Sequence, residues 1–537
     1  MIEAEQTPRQ KPEIHINSIT FNDGTTLSLE SNSIVVFTGA NNCGKSQVLK
    51  DIERYWFNKQ YNLDKRHNLA PKVMTNISID FAGDINDVFF ETRFYRDRND
   101  GGLKIYESAN YSYQKEDTVS NWKNESLYND LHKLFVKFID TEQRLTTSKA
   151  LQRMNQPEAH PIFKLNKSEE LSQTLSTYFR QAFNADLVVN RNETIDIPLH
   201  VGEAPDTTAY TIATQDIYYA EVTKLPRLDE QGDGMRSFAS ILLDTFTSEH
   251  SITLIDEPEA FLHPPQARLL GKMLANNNPS KRQLFISTHS EDFLQGLIDA
   301  GKENVTVIRI NRTKNINQMS ILQNTEIRNL WSNPLLRYSN ILSGLFYEKV
   351  VVCESDYDCL LYKSVIDAIY ESRDEIAPDI MFTHCGGKDR IKTVVYALRA
   401  LNVTVVAITD FDLLNDSSKF KEITAAFGVD WGTQLATHMK VIYDNMNAKI
   451  NSWVNIKSIG KQGFDDNAPA AYEIVEQVCR GVGLFVVPVG EIESFEKTVN
   501  KSKKDWVYYV IENYDLAVEP KLQTAREFVQ CIVDFNL

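Results

Sequence analysis

The sequence predicts an α/β protein of two units: a phosphate-loop unit carrying a helical insertion, and a smaller unit built on a parallel sheet. Three observations support this prediction. The apolar stretch SIVVFT leads directly into GANNCGKS, and a helical stretch follows. Residues 111–185 become polar and charged, with a helical pattern. From Lys349 onward, short apolar strands alternate with helical stretches, which is typical of a parallel sheet with crossover helices.

Length and composition limit the classes of protein to consider. A chain of 537 residues is too long for one core, so several domains are expected. Its six cysteines show no CxxC spacing and predict neither a disulfide framework nor a zinc site. No apolar run approaches the ~18 residues of a membrane span, and the first residues lack a secretory signal, so we expect a cytoplasmic protein without a membrane partner. The net charge of −16 disfavours nonspecific DNA binding but allows a local basic groove.

The remaining elements follow from the spacing of apolar residues. VMTNISIDF, VFFETRFY, ADLVVN and IYYAEV have the alternation expected of strands. Within the insertion, NDLHKLFVKFI and SEELSQTLSTYFRQAF are predicted as helices. After residue 235, the helical stretches MRSFASILLDTF and PPQARLLGKMLA alternate with the strands SITLID, QLFIST and VTVIRI. Residues 324–346 have the pattern of helical connectors.

The stretch at residues 39–46 fits the phosphate-loop pattern GxxxxGK[ST] in full, between a strand and a helix. Backbone N–H groups of the loop and of the following helix would hold phosphates. Lys45 would reach the β- and γ-phosphates, and Ser46 would bind Mg²⁺. The predicted ligand is therefore ATP, and the candidate contact residues in and after the loop are Gly39, Asn41, Asn42, Gly44, Lys45, Ser46 and Gln47.

Two later strand ends supply the other groups that nucleotide hydrolysis needs. Asp256 and Glu257 end the strand SITLID, where Asp256 suits the Mg²⁺ shell and Glu257 suits a base that orients water. The alternative is a solvated helix start with acidic residues. His289 follows the strand QLFIST and could contact the γ-phosphate.

The phosphate loop, the strand ending in DEP and the strand ending in STHS together resemble the core of ATP-binding cassette ATPases, as in SMC-type proteins. The resemblance implies that two heads sandwich ATP and that a signature loop acts in trans. The matching stretch QGDGMRS, residues 231–237, departs from LSGGQ; Gly234 would face the nucleotide, or the stretch is an ordinary turn and helix cap. The head would then comprise residues 1–110 and 186–345, with the insertion at 111–185 as a dimerisation element.

A second set of acids lies at strand ends in the C-terminal half. Glu354 closes KVVVCE, and Asp410 and Asp412 close VTVVAITDFD. Glu491 and Glu493 follow a third apolar stretch, LFVVP. Because the carboxyl ends of parallel strands meet at one sheet edge, these carboxylates are expected to lie together. Such oxygen ligands suit Mg²⁺ or Mn²⁺, and the alternative is a set of solvated acidic loops.

This second pattern resembles the TOPRIM domain, and a cassette head followed by TOPRIM resembles the OLD (overcoming lysogenisation defect) family. Residues 346–537 would be the TOPRIM nuclease domain. The resemblance implies that Lys503 or Lys504 assists catalysis, and that Glu491 competes with Glu493 as a ligand. The implied metal residues are Glu354, Asp358, Asp410, Asp412 and Glu493.

Family members are ATPase-linked nucleases that cut or nick DNA, and several are antiphage effectors of the Gabija and retron-associated types. The resemblance therefore implies DNA as a partner, a homodimer or higher homo-oligomer formed through heads and insertion, and a possible retron or helicase subunit as a defence partner. Near the acids, GGKDRIK brings Lys388, Arg390 and Lys392 to a turn that could seat a DNA phosphate, or that is only a glycine turn before a solvated helix.

The preferred interpretation is an ATP-regulated, divalent-metal-dependent DNA endonuclease, and two alternatives stay open. One is an ATP-switched sensor or scaffold whose TOPRIM domain binds without cutting. The other is a nuclease directed at RNA or tRNA. The complete set of Glu354 and the DxD acids favours an enzyme over a scaffold.

Overall fold

The chain folds into two compact units, Met1–Glu326 and Ile327–Leu537, whereas we predicted the boundary after residue 345. The computed structural model describes residues 11–56, 59, 70–97, 101–152, 160–206, 211, 214–314, 316–334, 336, 340–449 and 452–536. Among these residues, no helix combines the length and the apolar character that a membrane crossing requires.

The first part of the chain contains both strands and helices throughout. Its strands are β1 (Glu13–Phe21), β2 (Thr26–Ser28), β3 (Ile34–Thr38), β4 (Met74–Ala82), β5 (Phe94–Arg96), β6 (Leu103–Ile105), β7 (Ser108–Tyr113), β8 (Val136–Ile139), β9 (Leu151–Gln152), β10 (Asp186–Val189), β11 (Asp196–Ile197), β12 (Leu199–Gly202), β13 (Ile252–Asp256), β14 (Gln283–Ser287), β15 (Val305–Thr313) and β16 (Ile316–Gln323). Its helices are α1 (Lys45–Glu53), α2 (Asp87–Arg93), α3 (Lys115–Lys123), α4 (Thr141–Thr147), α5 (Pro161–Lys167), α6 (Glu169–Phe183), α7 (Gln215–Val222), α8 (Asp233–Phe246), α9 (Pro264–Asn276), α10 (Glu291–Asp299) and α11 (Asn324–Trp331).

A six-stranded sheet, in the order β16-β15-β3-β14-β13-β8, organises this unit. All neighbours are parallel except β15 and β16, which form an antiparallel pair. Every residue of β3 and β14 is buried, which fits the uninterrupted apolar runs of these central strands. The carboxyl ends of β3, β13 and β14 lie side by side. This edge carries the phosphate loop, Asp256 and the segment leading to His289.

The segment 111–185 is not the purely helical insertion that we predicted. NDLHKLFVKFI, expected to be a helix, ends in the strand β8, which pairs in parallel with β13 at the edge of the central sheet. SEELSQTLSTYFRQAF does form a helix, α6. A four-residue strand inside a polar stretch shows no alternation that could distinguish it from a helix. Tertiary pairing with β13 therefore decides its structure.

Two other predicted strands are helical at least in part. VFFETRFY forms α2 before the short strand β5, and IYYAEV lies within α7. In VFFETRFY, Asn86 caps the helix by accepting a hydrogen bond from the N–H of Phe89, with a distance of 3.0 Å. This capping residue precedes the apolar run and was the available signal for a helix.

The second unit is built on a four-stranded parallel sheet, which confirms the predicted arrangement. The strand order is β18-β17-β19-β20. Its strands are β17 (Lys349–Cys353), β18 (Ile380–His384), β19 (Thr404–Thr409) and β20 (Leu484–Val486). Its helices are α12 (Asp356–Ser372), α13 (Ile391–Ala400), α14 (Ser417–Ala426), α15 (Ala436–Ala448), α16 (Ile456–Ile459), α17 (Ala468–Val482), α18 (Lys503–Asn513) and α19 (Gln523–Asp534).

Buried histidines make the stability of the first unit dependent on pH. His132 stacks on Trp56 with ring centroids 5.5 Å apart, and burial lowers its pKa to about 4. The unfolded chain binds this proton near pH 6.5, so the folded state loses stability as pH falls from 6.5 towards 4, by about 1.4 kcal/mol per pH unit. We expect the unfolding free energy of His132→Asn, measured by urea titration, to fall less over this pH range than that of the wild type. Equal slopes in both proteins would contradict this account.

Candidate functional site

The phosphate loop depends on two glycines in left-handed conformations. Gly39 has φ +139, and a Cβ there would lie 2.3 Å from the carbonyl oxygen of Ile310. Gly44 has φ +112, caps α1, and a Cβ would lie 2.9 Å from Nδ2 of Asn317. Any side chain at either position would push the loop away from the β15–β16 hairpin. The two glycines therefore fix the path of the loop against the hairpin.

The side chain of Lys45 is buried and held against the loop itself. Its Nζ donates to the carbonyl oxygens of Gly39 and Ala40, at 2.8 Å each. Burial lowers the pKa of Lys45, and the charge of Glu257 is among the influences that raise it. Of the other predicted contact residues, Gln47 donates to Oδ1 of Asp51 at 2.7 Å. Asn41 and Asn42 are exposed, and Ser46 follows Lys45 in the first turn of α1.

The acids at the end of β13 lie beside the segment that carries His289. Asp256 accepts a hydrogen bond from Oγ of Ser287. Oε1 of Glu257 lies 3.4 Å from Nε2 of His289. Burial and the charge of Lys45 lower the pKa of His289 to about 4, so the imidazole is neutral at pH 7. The pair is thus a carboxylate beside a neutral imidazole rather than an ion pair.

Glu257 itself adopts a left-handed backbone conformation, with φ 48. Its N–H donates to the carbonyl oxygen of Ser287 at 3.0 Å, and its own carbonyl oxygen accepts from Nη1 of Arg144 at 2.8 Å. Arg144 is fully buried and lies in α4, within the segment predicted as an insertion. No sequence pattern indicates this role, because Arg144 precedes Glu257 by more than a hundred residues in a polar stretch.

Helix α4 also contacts the helix that follows the signature-like stretch. Nη2 of Arg236, in α8, donates to the carbonyl oxygen of Leu145 at 2.6 Å. Gly234, in the first turn of α8, packs so closely that a Cβ would lie 2.7 Å from the carbonyl oxygen of Phe261. Close packing therefore accounts for a glycine at this position. A contact between Gly234 and a nucleotide stays a prediction.

We expect Arg144→Met to slow ATP hydrolysis by about tenfold to a hundredfold while ATP affinity changes little, because misplacing Glu257 affects the reacting geometry more than phosphate binding. Methionine fills most of the volume but leaves the carbonyl oxygen of Glu257 without its donor. Steady-state hydrolysis and fluorescent-nucleotide titration measure the two effects. Arg268→Met, which removes an exposed arginine paired with Asp299, is the matched control. Equal hydrolysis rates in the two variants would contradict a role for Arg144 in positioning Glu257.

In the second unit, the strand-end acids converge on one edge of the sheet. Oε1 of Glu354 accepts a hydrogen bond from the N–H of Asp410 at 3.1 Å. Burial and the charges of Glu354 and its neighbours raise the pKa of Asp410 to about 8. Burial and the charge of Asp412 likewise raise the pKa of Glu354, against the hydrogen bond from Asp410. We call Glu354, Asp410 and Asp412 the acid centre.

Two lysines, not the predicted pair, contact the acid centre. Nζ of Lys388 lies 3.2 Å from Oδ1 of Asp412, and Nζ of Lys457 lies 3.3 Å from Oδ2. Lys457 also lies 3.9 Å from Glu491. A Cβ at Gly490 would lie 1.9 Å from the carbonyl oxygen of Lys457, so a glycine there, with φ +120, is required by close packing. No sequence pattern indicated Lys457, which lies in the long segment between β19 and β20.

The other predicted acids flank the acid centre on different sides. Asp358 caps α12: Oδ2 accepts from the N–H and Oγ of Ser355, at 2.9 and 3.0 Å. Burial raises the pKa of Asp358 despite these bonds, and the charge of Glu493 adds to the effect. Glu493 accepts a hydrogen bond from the backbone N–H of Lys503. Glu491 lies towards Lys457 and Asp412, and burial raises its pKa.

The loop GGKDRIK is attached to the acid centre through its backbone. The N–H of Gly387 donates to the carbonyl oxygen of Glu354 at 2.9 Å. Lys388 thereby reaches Asp412, whereas Lys392 pairs with Glu422 on α14. In the part of the chain that the structure describes, no group of three or more His, Cys, Asp or Glu side chains is arranged so that it could hold a metal ion.

Comparison with known proteins gives a consistent result for both units. Residues 92–294 match the family described as "AAA domain, putative AbiEii toxin, Type IV TA system". Residues 345–412 match "Overcoming lysogenization defect protein-like, TOPRIM domain". The Old nuclease of Escherichia phage P2 is 24% identical over 274 residues, covering 48% of this chain and 45% of that protein. The chain therefore has an ATPase–TOPRIM architecture similar to that of the OLD family. It matches less than half the length of this curated relative.

The predicted fold class, a P-loop ATPase unit followed by a TOPRIM unit, is confirmed. An ATPase unit and a TOPRIM unit together imply the use of a nucleotide and a divalent metal in general. Similar solved structures include the SMC head domain from Thermotoga maritima, at 10% identity and TM-score 0.31, covering 58% of this chain and 99% of that one. Another is the Smc head with an extended coiled coil from Pyrococcus furiosus, bound to the C-terminal domain of ScpA, at 9% identity and TM-score 0.33, covering 60% and 99%.

Proposed function

We propose that this protein is an ATP-regulated, divalent-metal-dependent DNA endonuclease. One observation supports it above the others. Glu354, Asp410 and Asp412 converge at the carboxyl edge of a parallel sheet, in a chain whose other unit carries a phosphate loop with Glu257 and His289 beside it. The first set of residues suits phosphodiester cleavage, and the second suits control by a nucleotide.

The residues of the acid centre fit a divalent cation by their chemistry. Carboxylate oxygens are the ligands that Mg²⁺ and Mn²⁺ prefer. Buried like charges raise the pKa of Glu354 and Asp410, and a dication would relieve that repulsion. The ion would be held by Glu354, Asp410 and Asp412, with Asp358, Glu491 and Glu493 around them. The residues would thereby hold an ion that could supply activation of water and stabilisation of the leaving oxygen.

The present arrangement explains why these acids do not form a ready-made metal cluster. Lys388 and Lys457 neutralise Asp412, and Ser355 engages Asp358. A metal on Asp412 would compete with the two ammonium groups for its oxygens. Released from Asp412, the lysines would be available to a substrate phosphate beside the acids.

In the first unit, we propose that ATP and Mg²⁺ bind at the phosphate loop, with Lys45 turning from its loop carbonyls to the phosphates. Ser46 and Asp256 would share the ion, and Glu257 would orient the attacking water. We also propose that two copies meet through their ATPase units, with Gly234 approaching the partner's nucleotide. Head pairing would then transmit the nucleotide state to the TOPRIM unit.

The decisive experiment is plasmid cleavage by the purified full chain in Mg²⁺ or Mn²⁺, with ATP, with a non-hydrolysed ATP analogue, and with EDTA. We expect nicked or linear products only with metal, and a change in rate with nucleotide. Total tRNA in parallel reactions separates a DNA nuclease from an RNA nuclease. Intact plasmid together with degraded tRNA would overturn the choice of DNA.

A non-cutting scaffold is the second candidate, because lysines occupy Asp412 and no described group of acids is arranged to hold a metal ion. It predicts metal-independent DNA binding and no cleavage under any condition. An antiphage role, with a retron or helicase subunit as partner, rests on the family resemblance. Plating of phage on cells that carry the wild type or Asp410→Asn tests that role directly.

Lys457 is the lysine that we expect to matter most for cleavage. We expect Lys457→Met to lower the rate by at least about tenfold, because it removes a cation that lies beside the acid centre and would stabilise the charge that develops on the substrate phosphate. Lys503→Met and Lys504→Met test the pair that the resemblance implied. Plasmid cleavage at saturating metal measures all three. A larger loss of cleavage rate in Lys503→Met than in Lys457→Met would favour the predicted pair as the source of the catalytic lysine.

A further inference from the structure

A group of unneutralised lysines lies just after the third set of acids. Residues 497–504 contain Lys497, Lys501, Lys503 and Lys504, and all four are exposed. Among the described residues, none of them lies within ion-pair distance of a carboxylate, although the protein as a whole is strongly acidic. Many other lysines of this unit are ion-paired, namely Lys388, Lys392, Lys419, Lys449, Lys457 and Lys521. The group is therefore a local positively charged surface.

Two aromatic rings of α18 lie close to these lysines. Nζ of Lys504 lies 5.6 Å from the ring centroid of Tyr508, and Nζ of Lys501 lies 4.5 Å from that of Tyr509. Tyr508 is 42% exposed, while its neighbours Trp506 and Val507 are buried. The ring is therefore partly exposed, and the ammonium group of Lys504 lies over one of its faces. Unpaired bases stack on such rings while their phosphates contact lysines.

This surface begins at the acids themselves. The backbone N–H of Lys503 donates to Glu493, which fixes the start of α18 beside that carboxylate. Tyr508 packs edge-on against Tyr357, with ring centroids 6.5 Å apart. Tyr357 lies in the first turn of α12, directly before Asp358. A strand lying along α18 would therefore lead its backbone to the sheet edge where Glu354 and Asp358 lie.

We propose that Tyr357, Lys501, Lys504 and Tyr508, which we call the α18 strip, bind a single-stranded segment of DNA whose bases stack on Tyr508. This proposal rests on the proposed function for its choice of DNA. It adds that the strand entering the site is unpaired, as at a gap, a flap or a locally opened duplex. Duplex DNA keeps its bases stacked on one another and offers no base face to Tyr508.

The test measures binding by fluorescence anisotropy in EDTA, so that no cleavage occurs. The probes are a labelled single-stranded oligonucleotide, the same sequence as a duplex, and a strand of equal length with an abasic centre. We expect wild type to bind the single strand about tenfold more tightly than the abasic strand, and Tyr508→Ala to bind both equally. Tyr508→Phe, which retains the ring, is expected to behave as wild type.

A lysine variant separates stacking from charge. The double variant Lys501→Gln with Lys504→Gln is expected to bind every single-stranded probe more weakly. The salt dependence of its binding should correspond to about one to two fewer phosphate contacts than in the wild type. Tyr128→Ala is the matched control, because Tyr128 is 41% exposed and lies in the other unit. Unchanged melting temperatures exclude misfolding as the cause of any loss.

The outcomes separate this proposal from the proposed function. Equal binding of all probes by wild type, or an unchanged preference in Tyr508→Ala, overturns the α18 strip even when plasmid cleavage is normal. Stacking-dependent binding without any metal-dependent cleavage supports the strip and overturns the nuclease.

Discussion

Asp410→Asn is expected to abolish DNA cleavage, with a loss of about three orders of magnitude or more, while ATP hydrolysis stays at the wild-type rate. A removed ligand costs several kcal/mol of charge stabilisation in the reaction, and each 1.36 kcal/mol corresponds to tenfold in rate. The nucleotide residues lie in a separate unit, so their chemistry is not affected. Plasmid nicking and phosphate release measure the two activities.

The melting temperature distinguishes the loss of a metal ligand from the loss of the folded structure. The pKa of Asp410 is raised to about 8, so most molecules carry a neutral side chain there at pH 7 before metal binds. Asparagine has the same shape and no charge, and we expect an unchanged or slightly higher melting temperature. Asp465→Asn, at an exposed aspartate paired with Lys449, is the matched control with normal cleavage. Persistent nicking in Asp410→Asn combined with Asp412→Asn would refute the nuclease.

Glu257→Gln is expected to slow ATP hydrolysis by about a hundredfold to a thousandfold while ATP binding remains. Glutamine keeps the size of the side chain but cannot act as a base towards water, and Lys45 remains available for the phosphates. Because the nucleotide would stay bound, any dimer that forms through the ATPase units should then last longer. Hydrolysis assays, nucleotide titration and light scattering measure these three effects.

The matched control for that variant is Glu170→Gln, at an exposed glutamate on α6. Wild-type hydrolysis in Glu257→Gln would contradict the assignment and direct attention to Glu259, which accepts the N–H of His289 at 2.7 Å.

Local motifs were predictable from the sequence, and long-range partners were not. The phosphate loop and the acids at 256, 354 and 410 each follow an apolar strand, so the strand ends give their positions. No comparable sequence pattern indicates the positions of Arg144 and Lys457. They reach their sites because β8 joins the central sheet and because Gly490 allows the carbonyl of Lys457 to approach. Neither event leaves a periodic pattern in the chain.

The place of β8 has a consequence for any shortened form of this protein. Residues 111–185 look dispensable by composition, yet β8 covers the outer edge of β13, whose last residue is Asp256. Deleting the whole segment would leave that strand with unpaired N–H and C=O groups, which invite pairing with another chain. We therefore expect a deletion across 136–147 to yield insoluble aggregates, whereas one restricted to 115–123 should leave β13 covered.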